Sequence, residues 1–211
     1  MGIDPPPVHP DEAVQVNAAV PRRRVEFATG RSCARRALAR LGIEDFVLRS
    51  DPASRAPQWP IGVVGSITHT GPVPGGYCGV AVAATQDVLT VGFDAETGEG
   101  LSPELWSKVL TQTESEWLLT FPSYRRPRMA RLAFSAKESF YKAQFPLTHS
   151  FLDFHDVEVA VDEGSSTFDV RIVGGATATA AFGPWRGRYA DSAGMVLTGI
   201  ALPAPGLAGG T

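Results

Sequence analysis

The chain has 211 residues, 44% hydrophobic and 19% charged, with a formal net charge of −3, which is enough for one large domain or two small ones around a real core. That charge argues against a general nucleic-acid binder, which would be strongly basic, and no apolar run approaches the ~18 residues of a membrane span. Its two cysteines, Cys33 and Cys78, have no Cys or His neighbours at ligand spacing; this excludes a disulfide-rich or zinc framework and reads as buried free thiols. The N-terminus has neither a basic region nor an apolar signal core, so the cytosol is the expected compartment.

In chain order, a Pro-rich start expected to be disordered gives way to a helical pattern from about Asp11 to Gly42. Phe27, Ala34, Leu38 and Leu41 share a face there, and Gly42 serves as a stop. Arginines at 22, 23, 24, 31, 35, 36 and 40 crowd the solvent side, and two or three of them suffice to clamp a phosphate through bidentate contacts. After a Pro-rich connection, Ile61 to His69, Tyr77 to Ala84 and Val88 to Glu96 read as strands joined by turns. Within Gly65-Ser-Ile-Thr-His-Thr70, Ser66 and His69 are candidate hydrogen-bond donors to an anion.

In Leu89-Thr-Val-Gly-Phe-Asp-Ala-Glu96 the alternation is clean. Thr90, Gly92, Asp94 and Glu96 share one face, so the two carboxylates point the same way, ~7 Å apart along a strand. An Asp-x-Glu at a strand end suits Mg²⁺, which takes one or two carboxylates plus waters and phosphate oxygens.

Leu101 to about Phe145 is again helical, interrupted near Phe121-Pro122-Ser123, and Arg125, Arg126, Arg128 and Arg131 form a second basic patch able to meet an acidic partner. In Phe134-Ser-Ala-Lys-Glu-Ser-Phe-Tyr-Lys142 the helical period puts Glu138 and Lys142 on one face, with Ala133, Ala136, Phe140 and Ala143 opposite. A helix this apolar is buried on most of its circumference, and buried charge needs a compensating metal, phosphate or partner. Read blandly, the pair is an i,i+4 contact worth ~0.2–0.5 kcal/mol. Strand patterns follow at Val157 to Val161, Thr167 to Val173, Ala176 to Phe182 and Met195 to Leu202, before a Gly-rich tail also expected to be disordered. Helices preceding antiparallel strands twice over predict an α+β fold of two similar halves, residues 1–96 and 97–211.

Gly30-Arg31, Gly65-Ser-Ile-Thr-His69, Val91-Gly-Phe-Asp-Ala-Glu96 and Phe134 to Lys142, in that order over about residues 20 to 150, together resemble the 4′-phosphopantetheinyl transferases of the surfactin and enterobactin synthetase type. Lys142-Ala-Gln-Phe-Pro-Leu-Thr148 resembles their actinobacterial members. The resemblance implies a pseudo-twofold α+β monomer binding coenzyme A between its halves and modifying a serine of acyl or peptidyl carrier proteins, with no role for nucleic acid or membrane. By position, Asp94, Glu96 and Glu138 would bind Mg²⁺ (or Mn²⁺) on the coenzyme A diphosphate, with Lys142 contacting that diphosphate and Glu138 taking the serine proton. Arg31, His69 and Arg23 would hold the 3′-phosphate, with Arg55, Ser66 and Lys137 as further phosphate contacts. Ala95 stands where some relatives carry a third polar residue, so water would complete the coordination. Two other readings of carboxylates plus lysine are a metal-dependent nuclease or phosphodiesterase, and a coenzyme A-binding module without catalysis.

Overall fold

The computed structural model describes residues 6–71, 76–98, 100–175, 182–192 and 194–205. The long N-terminal helix read from the sequence is three pieces: α1 (Pro10–Ala13), a 3-10 turn at Val14–Val16, and α2 (Pro21–Ala39). Proline is the cause. It disfavours helical geometry in the residue before it, so Val20 is extended, while Pro21 is at ease in the first turn, where its missing N–H is not needed. Phe27, Ala34 and Leu38 are buried as their spacing requires, but Leu41 lies beyond the helix end and is exposed.

β1 (Val63–Thr70) and β2 (Tyr77–Ala84) pair antiparallel, with Val63 opposite Ala84 and Thr70 opposite Tyr77. The strand begins two residues later than expected, leaving Ile61 exposed. α2 packs on this hairpin, and a Cβ at Gly30 would stand 3.3 Å from Ile67 Cγ2, so the small residue permits the close approach.

The chain divides into two compact units, one running to Val91 and joined again by the chain from Pro203, the other spanning Gly92–Leu202. The boundary therefore falls ahead of Asp94 and Glu96, and both carboxylates belong with the second unit. β3 (Val88–Thr97) joins a five-stranded sheet in the order β3-β7-β6-β5-β4, built with β4 (Val157–Asp162), β5 (Thr167–Ile172), β6 (Trp185–Ser192) and β7 (Met195–Pro203). The last four pair antiparallel in succession. β6 is absent from the sequence reading, because Trp-Arg-Gly-Arg-Tyr-Ala-Asp-Ser interrupts its apolar alternation with Gly187 and Ala190. The expected strand at Ala176 to Phe182 lies outside the described residues except for Phe182, and so do most of both expected disordered tails.

The second helical region is α3 (Pro103–Val109), α4 (Gln112–Leu119) and α5 (Arg126–Thr148). Thr111 separates α3 from α4 through a reciprocal cap in which its hydroxyl accepts from Glu114 N–H and the Glu114 carboxylate accepts from Thr111 N–H. α5 buries Ala133, Ala136, Phe140 and Ala143 completely, as the helical period predicts, and Phe140 meets the Trp185 ring edge-on at 5.1 Å. Val109, Leu110, Leu118, Met129, Leu132 and Val196 continue this core. Gly92 lets β3 reach α5: a Cβ there would lie 1.8 Å from the Ser139 carbonyl oxygen. The face shared by Thr90, Gly92, Asp94 and Glu96 is thereby turned toward the helix that carries Glu138 and Lys142.

Candidate active site

Asp94 leaves β3 as a carboxylate only 3% exposed. Its Oδ1 accepts from Lys142 Nζ at 2.6 Å and its Oδ2 from Ser135 Oγ at 2.7 Å. Lys142 also approaches the Phe93 carbonyl at 3.4 Å, and its side chain keeps 28% of its surface open. Ser135, Glu138 and Lys142 recur at intervals of three and four residues, so one stripe of α5 carries all three. Burial raises the Glu138 carboxyl above its ordinary value; the Lys142 ammonium opposes that rise and the Asp94 charge adds to it.

Glu96 is half-buried and its charge reaches Arg131, a 4%-exposed guanidinium whose Nε and Nη1 find no hydrogen-bond acceptor among the described residues. Burial lowers the Arg131 pKa, and the charges of Asp191 and Glu96 oppose that. Among the described residues, no three His, Cys, Asp or Glu side chains gather at metal-ligating spacing. The structure thus brings Asp94, Glu138 and Lys142 together, and the Glu96 charge acts on Arg131.

Lys137 requires a correction. Instead of facing a phosphate, its ammonium is fully buried and donates to Glu114 Oε2 (2.7 Å), Val109 O (2.8 Å) and Phe154 O (2.6 Å). Glu114 closes the cap of α4 and accepts from Val159 N–H at 2.8 Å, so this ion pair ties α5 to α4 and β4. One residue away from Glu138, the helix turns Lys137 by about 100° into the core.

In the first unit, a cavity of about 400 Å³ is lined by Arg23, Arg31, Arg55, His69, Glu26 and Ser50, among others. Arg31 is 4% exposed; its Nη2 donates to Ser50 Oγ at 2.7 Å, and its Nε has no acceptor among the described residues. Desolvation lowers its pKa to about 10, which leaves it cationic at neutral pH. Arg23 Nη1 lies 3.1 Å from His69 Nε2. Ser66 does not line this cavity: alternation along β1 puts it on the face opposite Ile67 and His69, where it is buried. Glu26, which the sequence reading passed over as one acid among arginines, sits 2.8 Å from Arg22 Nε, 3.6 Å from Arg23 Nη1 and 4.0 Å from His69 Nε2. Burial works to raise its pKa, but the Arg22 hydrogen bond and the charges of His69, Arg22 and Arg23 outweigh it and hold it low.

Sequence comparison decides the family. Residues 11–83 match the 4′-phosphopantetheinyl transferase N-terminal domain, and residues 90–190 the 4′-phosphopantetheinyl transferase superfamily. The 4′-phosphopantetheinyl transferase Svp of Streptomyces mobaraensis is 44% identical over 201 residues, covering 93% of this chain and 79% of that protein. Npt of Nocardia iowensis is 36% identical, covering 92% of this chain and 88% of that protein, and PptT of Mycobacterium tuberculosis is 36% identical, covering 94% and 88%. The chain belongs to the 4′-phosphopantetheinyl transferases.

In this transferase the donor set suits a hard divalent cation: the Asp94 and Glu138 carboxylates are close enough for one charge to disfavour the other, and the Lys142 ammonium, paired with Asp94, only partly offsets them. The second basic patch is largely engaged within its own unit. Arg125 pairs with Glu163, Arg126 donates to the carbonyls of Phe121 and Leu119, Arg128 pairs with Asp191, and Arg131 is buried. Arg125 and Arg128 nevertheless keep 38% and 51% of their side-chain surface open. Cys33 and Cys78 are half-buried free thiols; desolvation and the hydrogen-bonded Cys33 thiol push Cys78 up to about 12. Among the described residues, no helix is long and apolar enough to cross a membrane.

Proposed function

We propose that this chain transfers the 4′-phosphopantetheine arm of coenzyme A to a serine of an acyl or peptidyl carrier protein domain and releases 3′,5′-ADP. What carries this reading is the grouping of Asp94, Lys142 and Glu138, in which a buried carboxylate from β3 pairs with a partly open ammonium of α5 and a half-buried carboxylate on the same helix feels both charges. Family membership supports the same reaction.

Lys142 donates to the diphosphate oxygens of coenzyme A, which it can reach because its side chain is 28% exposed. Arg31, Arg23, His69 and Arg55 hold the 3′-phosphate; the Arg31 Nε without an acceptor is a donor prepared for it. The carrier serine oxygen forms a new bond to the phosphorus bearing the pantetheine arm, while the bond from that phosphorus to the 3′,5′-ADP oxygen breaks. The serine proton passes to Glu138, whose raised pKa is the direction a base working near neutrality needs. Mg²⁺ or Mn²⁺, held by Asp94, Glu138 and Glu96, would neutralise the charge of the diphosphate.

The test is transfer of a fluorescent coenzyme A analogue to a purified carrier domain with and without Mg²⁺, with the product weighed by mass spectrometry. A gain of one pantetheine arm on the carrier serine is expected. Binding of the analogue without transfer would reduce the chain to a binding module, and cleavage of a nucleic-acid substrate instead would make it a nuclease.

A further inference from the structure

Ser135 is an unusual helix serine. A hydroxyl inside a helix commonly turns back to a carbonyl three or four residues earlier, as Thr29 does to Val25 O at 2.8 Å and Ser139 to Ala136 O at 2.9 Å. Ser135 instead reaches across to β3, 2.7 Å from Asp94 Oδ2. An ionised carboxylate has no proton to give, so the serine is the donor and its only proton is committed.

Thr198 of β7 stands behind it. Its Oγ1 lies 2.8 Å from the Ser135 carbonyl oxygen and 2.9 Å from Ser135 Oγ. With the serine proton spent on Asp94, the single threonine proton is shared between the Ser135 carbonyl oxygen and Ser135 Oγ, and its share on Oγ braces the rotor that aims at Asp94. Ser135 is 0% exposed, Thr198 1% and Asp94 3%, so water does not readily replace a lost hydroxyl. The chain runs Thr198 to Ser135 to Asp94 Oδ2, leaving Oδ1 on the side of Lys142.

We propose that Ser135, braced by Thr198, is a positioning residue that fixes the Asp94 carboxylate for a divalent cation. This rests on the function proposed above. Carboxylates that ligate a metal are themselves held by hydrogen bonds, and removing such a partner costs about 10- to 100-fold in affinity or activity. The two hydroxyls touch neither substrate nor reacting atoms; they act through Asp94.

The experiment is Mn²⁺ binding to the full chain, read by electron paramagnetic resonance with and without coenzyme A, beside coenzyme A binding in EDTA and thermal melting. Ser135→Ala should lose about 10-fold or more in Mn²⁺ affinity, with coenzyme A binding in EDTA unchanged. Ser135→Thr, which restores a hydroxyl, should recover most of it. Thr198→Val, nearly isosteric, should lose measurably but less than Ser135→Ala, the smaller effect of freeing the rotor without removing the donor. Asp94→Asn should abolish tight Mn²⁺ binding. If it does while Ser135→Ala and Thr198→Val bind Mn²⁺ like the wild type, the positioning role is overturned and the hydroxyls are structural. If Asp94→Asn itself binds Mn²⁺ normally, the metal assignment fails and the positioning role with it. Should Ser135→Ala not fold, Thr198→Val decides alone.

Discussion

Lys142 lies one helical turn beyond Glu138 on α5, yet its ammonium is paired with Asp94 Oδ1 on β3 at 2.6 Å. The near neighbour in sequence is therefore not the partner that anchors it. An i,i+4 pair alone would be worth a few tenths of a kcal/mol, whereas this contact crosses between elements with a carboxylate only 4% exposed. Lys142→Ala should destabilise the second unit by about 1–3 kcal/mol, less than a fully buried pair because the lysine is partly solvated. Urea denaturation measures that, and pantetheine transfer should fall to a small residue. A variant as stable and as active as the wild type would show the pair to be incidental.

Glu138 gives stability a pH dependence whose sign follows from its raised pKa. Below its unfolded pKa, near the ordinary carboxylate value of 4.5, the group is protonated in both states and contributes no difference. As pH climbs through that value to the higher folded pKa, the unfolded chain ionises first, and the fold loses stability until the folded group ionises too. In EDTA this group should therefore lower the wild-type melting temperature at neutral pH relative to the acidic edge of the window, against the opposite pull of carboxyls held low, such as Glu26. Glu138→Gln should flatten that slope, melt higher than the wild type at neutral pH, and lose transfer. Parallel melting curves for the two proteins across the window would contradict the assigned cause.

Lys137→Met should cost about 3–5 kcal/mol, since it leaves the Glu114 carboxylate buried without its cation. Adding Glu114→Gln to Lys137→Met should recover part of this, because neighbours sharing one contact are not additive. Coenzyme A affinity in the folded fraction should not change. A selective loss of coenzyme A binding, with stability intact, would return Lys137 to the phosphate site.

Arg31 lines the cavity of the first unit with an unmet Nε donor. Arg31→Met should weaken coenzyme A binding about 10-fold or more, the worth of a charge-assisted hydrogen bond, and leave dephospho-coenzyme A, which lacks the 3′-phosphate, nearly unaffected. Isothermal titration with the two ligands reads the difference. Equal losses for both would assign Arg31 elsewhere on the ligand.

Periodicity made much of this legible. The alternation of β3 put Asp94 on the face of Gly92, and the helical repeat put Glu138 and Lys142 on one stripe, because strand and helix geometry act on neighbours in sequence. The residues it missed or misassigned depend on what lies across a gap. Lys137 looked like a phosphate contact beside Glu138, but Glu114 and two carbonyls from distant segments capture it. Ser66 looked like an anion donor beside His69, but the face of β1 that borders α2 carries Ile67 and His69 instead. Glu26 was hidden among arginines that turn out to be its partners.

From its sequence alone, this protein is an α+β transferase of its family, with its helices, most of its strands and the facing of its charged residues set by local period and by proline and glycine. Tertiary structure alone decided who meets whom: Asp94 with Lys142 and Ser135, Arg128 with Asp191, Lys137 with Glu114. The reason is physical. Periodicity fixes the direction of a side chain relative to its own backbone, while the partner of a buried charge is fixed by desolvation, which requires a counter-charge from whatever segment packing brings alongside.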